Sequence, residues 1–482
     1  MPCTTILVGK KASYDGSTMM ARNDDSGAGG YTPKRFEVVK PENQPRQYKS
    51  VISKAMIDLP DNPMQYTCVP NAVEGEGIWA ASGINAAGVA MTATETITSN
   101  ERVQGLDPCL NASLKKGGIG EEDLVVLTLP YIKSAREGVI RLGELLEKYG
   151  TYEMNGIGFS DKDEIWWLET IGGHHYIAKK VPDDAYVVMP NQMGIDSFDL
   201  EDALGAKKDH MCSLDMRQFI DKGHLDLSLT GDFNARYAFG SREDADHAYN
   251  TPRAWFMERY LNPHTYSWDG PTADYRPDSD DIPWSLVPEK KITEEDIKYL
   301  LSSHFQGTPY DPYASYGDSS MRGAYRSIGV NRTDFMSLLQ IRPDAPAIQW
   351  VAFASNVFNV MVPMYVNIDK VPKFLGTTNE EVSTDSFYWN SRLIGALANA
   401  SYKTSLNLIE RYQLKVHGKC HEIINRYDDE LKKAKGANAV KISEKANEET
   451  AKMVKEETSK VLSQVLKEAS NVMKNSYARS DA

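Results

Sequence analysis

The order of elements predicts an α+β protein built on antiparallel sheets, with a helical C-terminal region. Three observations predict it. β-Branched runs bounded by turns come in adjacent pairs, the pattern of hairpins. Helical periodicity is confined to an interior stretch, a short central segment and the chain from residue 386 onward. Strands come first, with helices between and after them, which favours sheet layers covered by helices. Residues 1–385 are expected to form one unit, with 386–482 as a helical region packed on it.

Thr4 to Gly9 (TTILVG) is a short apolar run ended by Gly and reads as a strand. Lys10 to Gly16 is turn-like, and Ser17 to Ala21 reads as the returning strand. Asp24 to Gly30 (DDSGAGG) reads as a loop. Ile78 to Ala81 and Val89 to Thr94 flank the turn Asn85-Ala86-Ala87-Gly88 and predict a second hairpin. Ala135 to Tyr149 carries apolar residues at helical spacing and is stopped by Gly150. Strands follow at Gly156–Ser160, Ile165–Thr170, His175–Ala178 and Tyr186–Met189. Residues 231–288 are rich in Asp, Tyr, Pro and Trp and read as long loops around one helix at Pro252–Leu261. Tyr266, Trp268 and Tyr275 there allow a substrate-covering loop, with packing the favoured use of the rings. Ile348–Ala354 and Val360–Val366 are late strands. Helices are expected at Phe387–Tyr402, Ser405–Lys435 and Val440–Asn475, the last with one apolar stripe on the body.

Composition narrows the function. Of 482 residues, 41% are hydrophobic and 25% charged, values that exclude wholesale disorder. Lys and Arg number 54 against 67 Asp and Glu, a net charge of -13. That balance makes nucleic acid and anionic membrane surfaces poor partners. A small-molecule substrate and a homo-oligomer are the expected partners. Five cysteines without paired spacing do not form a disulfide framework. Neither a signal-peptide pattern nor a bilayer-length apolar run is evident, and a cytoplasmic location is expected.

No dinucleotide, phosphate-loop, zinc-protease or serine-hydrolase motif is present. His417, Cys420 and His421 lie one helical turn apart without a second cluster, and His174-His175 sits at a turn. Neither is read as a site. No metal and no cofactor is expected. The informative residue is Cys3, directly before the first strand. If Met1 and Pro2 are removed, its thiol and a free α-amine belong to one residue. The amine titrates near 7.7–8.0 and can take the thiol proton without any histidine. In a hairpin, Arg22 and Asp25 return close to residue 3. An arginine there favours thiolate, and a carboxylate can hold the amine.

The stretches CTTILVGKKASYDGSTMMARNDD, GINAAGVAMTATET, AREGVIRLGELLEKYG, WWLETIGGHHYIAKKVPDDAYVVMPNQ, YNTPRAWFMERYLNP and GTPYDPY resemble the dipeptidase A-like cysteine dipeptidases. These are N-terminal-nucleophile (Ntn) hydrolases related to penicillin V acylase and bile salt hydrolase. The resemblance implies a four-layer αββα fold and hydrolysis of dipeptides. It implies Cys3 as nucleophile, with Arg22 and Asp25 as the superfamily's R-x-x-D. Asn191 resembles the oxyanion-hole asparagine, and Arg253 the distal active-site arginine. Where the acylases carry an Asn after the second hairpin, this chain has Glu95. Glu95 and Asp24 are the carboxylates expected to meet a substrate amine. One departure stands out: Pro2 intervenes, so loss of Met1 alone leaves Cys3 acylated. Two alternatives stay open: an Ntn amidase or acylase on N-acyl amino acids, and a non-catalytic secernin-like binding protein.

Overall fold

The computed structural model describes residues 3–27, 29–111, 117–229 and 231–474. Two antiparallel sheets organise them. The first has seven strands, in the order Ser285–Leu286, Tyr186–Met189, Cys3–Val8 (β1), Thr18–Asp25 (β2), Thr333–Ile341, Ile348–Phe353 and Val362–Tyr365. The second has six, in the order His210–Cys212, His175–Val181, Ile165–Ile171, Asn155–Ser160, Ala90–Thr96 and Ser82–Ile84. Every pairing within them is antiparallel. The predicted mixed α and β architecture with antiparallel sheets is therefore present.

Alternation of side chains explains how the sheets meet. Leu7, Met20, Val187 and Leu339 from the first sheet share one apolar core with Ile84, Ile165, Trp167 and Ile177 from the second. On the other face of the second sheet lies the Ala135–Tyr149 helix. It starts where the Ser134 side chain accepts the Glu137 N–H at 3.1 Å, and it stops at Gly150, whose φ of 68° suits glycine. Its Val139, Leu142 and Leu146 pack on Ile157, Phe159 and Leu168. The opposite face of the first sheet packs on the Glu294–Leu301 helix and on the C-terminal helices Phe387–Ala400, Tyr402–Leu431 and Ala437–Asn471. Trp350 and Met364 share that core with Tyr388, Val416 and Val454.

Several predictions of extent are corrected. β2 runs on through Asp25, where a loop was expected from Asp24. Cys3 pairs with Asp24 on one side and Thr333 with Asp25 on the other, so ladder bonds hold these acidic residues extended. Residues 78–81 are not a strand. Trp79 and Ala81 have φ of 47° and 58°, and the ladder begins only at Ser82. The Thr333–Ile341 strand was not foreseen. Ser401 breaks the helices at 401 rather than near 403, and the final helix ends at Asn471; the predicted terminus at Asn475 lies outside the described residues. The 231–288 region holds three helices rather than one, Ala235–Phe239, Asp246–Tyr249 and Thr251–Leu261. Tyr266, Trp268 and Tyr275 do pack on one another. Among the described residues no helix is long and apolar enough to cross a membrane.

Candidate active site

Cys3 opens β1 at the centre of the first sheet, with its side chain fully buried. Register decides its neighbours. Cys3 lies opposite Asp24, and Thr5 opposite Arg22, so these four side chains share the face turned toward the second sheet. Arg22 Nη2 donates to Cys3 Sγ at 3.1 Å, to Asp24 Oδ1 at 3.0 Å and to Glu121 Oε1 at 2.7 Å. Its Nη1 donates to the Ala93 carbonyl at 2.7 Å. Asp24 also pairs with the buried Lys34 at 2.8 Å and stands 4.0 Å from the sulfur.

Cys3, Asp24 and Glu121 bring three ligand-type atoms within 4.8 Å of one another. They do not fit a metal site as arranged, because one guanidinium nitrogen bonds all three. The electrostatics follow from burial. Burial pushes the Cys3 thiol well above its ordinary value, against the pull of Arg22. Burial also opposes the Asp24 charge, but Lys34 and Arg22 outweigh it and hold that carboxyl low. The resting sulfur is therefore a thiol in need of a proton acceptor.

The nitrogen of Cys3 is held by a separate group. Its N–H donates to Asn191 Oδ1 at 3.2 Å. Asn191 follows the Tyr186–Met189 strand, which pairs with β1. Arg253 Nη2 donates to the same Asn191 oxygen at 2.8 Å, and Arg253 Nη1 donates to the Cys3 carbonyl and to Thr4 Oγ1. Asn191 Nδ2 donates to Glu95 Oε2 at 3.2 Å, while Thr5 donates to Glu95 Oε1 at 2.6 Å. Burial pushes the Glu95 carboxyl up to about 8, against Thr5, Arg22 and Arg253.

Cys3, Arg22, Asp24, Glu95, Asn191 and Arg253 thus converge. Asp25 stands apart from the sulfur. It bonds Arg326 and Thr333, on the Asn23 face of β2 and away from the Cys3 side chain. Asp24 is the carboxylate at the sulfur, and its two cationic partners already hold it. His174 and His175 share Asp107, and His421 pairs with Glu295 at 2.6 Å while Cys420 is buried core.

A sequence profile of Peptidase family C69 matches residues 2–415. The chain belongs to Peptidase family C69. It is 51% identical to a dipeptidase of Bifidobacterium longum, with all of both chains covered. It is 50% identical to a probable dipeptidase A of Streptococcus pyogenes, again over the full length of both. Dipeptidase A of Lactobacillus helveticus is 44% identical, with 98% of each chain covered. C69 is a family of cysteine peptidases, which makes this chain a hydrolase.

Three residues of this cluster escaped the sequence reading: Glu121, Lys34 and Asn250. Asn250 ties Asn191 to Arg253, because its Oδ1 accepts from the Asn191 N–H at 3.1 Å and from Arg253 at 2.5 Å. It stands immediately before the Thr-Pro that begins the Thr251–Leu261 helix, the one local signal that marks it. Glu121 and Lys34 sit in segments without periodicity, and only the fold brings them to Arg22 and Asp24.

Proposed function

We propose that this C69 peptidase is a cysteine-type dipeptidase whose nucleophile is Cys3, exposed as the N-terminal residue after Met1 and Pro2 are removed. One observation carries the reading. The sulfur and the nitrogen of one buried residue are gripped by different partners, Arg22 at 3.1 Å and Asn191 at 3.2 Å. Structural packing of a thiol calls for neither. Two packed antiparallel sheets with helices on their outer faces support the four-layer αββα Ntn fold, with 1–385 as the catalytic domain and 386–482 as its helical cover. A cytoplasmic setting suits a buried, unoxidised thiol nucleophile.

The chemistry follows from the geometry. With Met1-Pro2 in place, the Cys3 nitrogen is an amide whose lone pair is delocalised and takes no proton. Freed as an amine, it accepts the Sγ proton within the same residue, with Asn191 holding the nitrogen and Arg253 the Cys3 carbonyl. The thiolate, steadied by Arg22, attacks the scissile carbonyl, and an S–C bond forms. Asn191 and a backbone N–H stabilise the oxyanion, a contribution of about 3–4 kcal/mol per donor in such reactions. Collapse breaks the C–N bond, and the Cys3 ammonium protonates the departing amine. The amine then takes a proton from water, whose oxygen attacks the thioester; the C–S bond breaks, releasing the second product, and the ammonium returns its proton to the sulfur so that thiol and amine are restored. Glu95, beside Asn191, is placed to receive the α-ammonium of a dipeptide.

Purified Cys3→Ala and Cys3→Ser test the reading against a panel of free-amine dipeptides and their N-acetylated counterparts. Loss of turnover on the free dipeptides with the fold retained is expected. Undiminished hydrolysis by Cys3→Ala refutes the nucleophile, and a preference for the blocked substrates favours an amidase.

A further inference from the structure

A cavity of about 500 Å³ lies where the Glu294–Leu301 helix and the chain that follows it meet the Tyr402–Leu431 helix. None of Cys3, Arg22, Glu95, Asn191 or Arg253 lines it. Lys298 does, and this lysine is only 6% exposed. Its Nζ donates to Ser302 Oγ and to the Asn356 carbonyl, both at 2.8 Å. An ammonium has three hydrogens, and among the described residues no carboxylate forms an ion pair with this one. A buried cation without a counter-charge is costly, and burial pulls the Lys298 ammonium down to about 7.

The neighbouring groups do not supply the missing charge. Glu295 holds His421 at 2.6 Å, and Asp311 holds His304 at 2.8 Å. His417 accepts the Met361 N–H at 3.3 Å, and burial keeps it uncharged, down to about 4. The carboxylate of Glu410 also lines the cavity, and among the described residues it forms no ion pair with Lys298; the rest of the wall is mixed, with Leu406 and Ile409 beside Tyr313 and Tyr402, which stack with centroids 3.9 Å apart. A buried cation without an ion-pair partner beside a stacked tyrosine pair suits an anionic group carrying an apolar tail. We infer that this cavity binds a small carboxylate with an aromatic or apolar tail, its carboxylate on Lys298 and its tail against the Tyr313–Tyr402 pair. The inference does not depend on the dipeptidase reading.

Calorimetric titration of the full-length protein with 3-phenylpropionate and its uncharged amide, 3-phenylpropanamide, tests it. The acid is expected to bind at least about tenfold more tightly than the amide. Lys298→Met should weaken the acid about tenfold, since an apolar side chain of similar length keeps the packing and removes the charge. Ala314→Trp, on an irregular segment of the wall, should block both ligands and decides the matter if Lys298→Met does not fold. No binding of the acid up to about 10 mM, equal affinity for acid and amide, or affinity unchanged in the variants overturns the inference. So does binding that survives Lys298→Met and is lost when Cys3 is alkylated.

Discussion

Cys3 offers two reactive atoms, and its neighbours treat them differently. Arg22 meets the sulfur, while Asn191 and Arg253 meet the nitrogen and carbonyl. Glu95 adds a titration to the same site. Its carboxyl rises from 4.5 to about 8 because burial disfavours the charge. The folded protein therefore binds a proton that the unfolded chain has released between those values, so Glu95 lowers stability as pH rises through that window. Glu95→Gln removes this slope. Urea melts should show wild-type stability falling relative to Glu95→Gln from about pH 5 to about pH 8. Parallel stability profiles would mean that Glu95 is charged in the folded state.

Strands and helices account for how much could be read in advance. β1, the start of β2 and the Ala135–Tyr149 helix announce themselves through β-branched runs, turn residues and a helical stripe. The Thr333–Ile341 strand does not. Leu338, Leu339, Met336 and Gln340 favour helix locally, and only pairing with β2 and Ile348–Phe353 makes them a strand. The same long-range pairing carries β2 four residues past its expected end at Ala21 and so places Asp24, not Asp25, at the sulfur. Cys3, Arg22, Asn191 and Arg253 were legible because short motifs mark them. Glu121 and Lys34 were not, since their role is to neutralise charges that arrive from elsewhere in the chain. Gly83 shows how tightly the elements fit. A Cβ there would come within 1.9 Å of the Thr67 carbonyl oxygen. Gly83→Ala should cost about 3 kcal/mol in denaturant unfolding by forcing the Tyr66–Cys68 strand away. A loss within about 0.5 kcal/mol would show that the contact yields freely.

Across the whole molecule, the strands that carry Cys3 and Arg22 are interior to a sheet whose outer face the C-terminal helices cover. Phe353, Val351 and Met364 share one core with Phe387, Ile409 and Val461. Burial of large apolar side chains contributes about 1.5–3 kcal/mol each. A chain ending at residue 385 should therefore expose this face and aggregate, seen as loss of the monodisperse peak in light scattering. A well-behaved, active truncation would show that the helices are an accessory. The acidic charge of the whole does not bear on the site, where cations and carboxylates are matched one against another.

The decisive quantity is the mass of the N-terminal peptide in fully active protein. Digestion and mass spectrometry, run beside active-site titration with an alkylating agent, should find a chain that starts at Cys3 in the same fraction as the titratable sites. Full turnover from protein that still carries Met1 and Pro2 would contradict catalysis by a free cysteine amine and thiol.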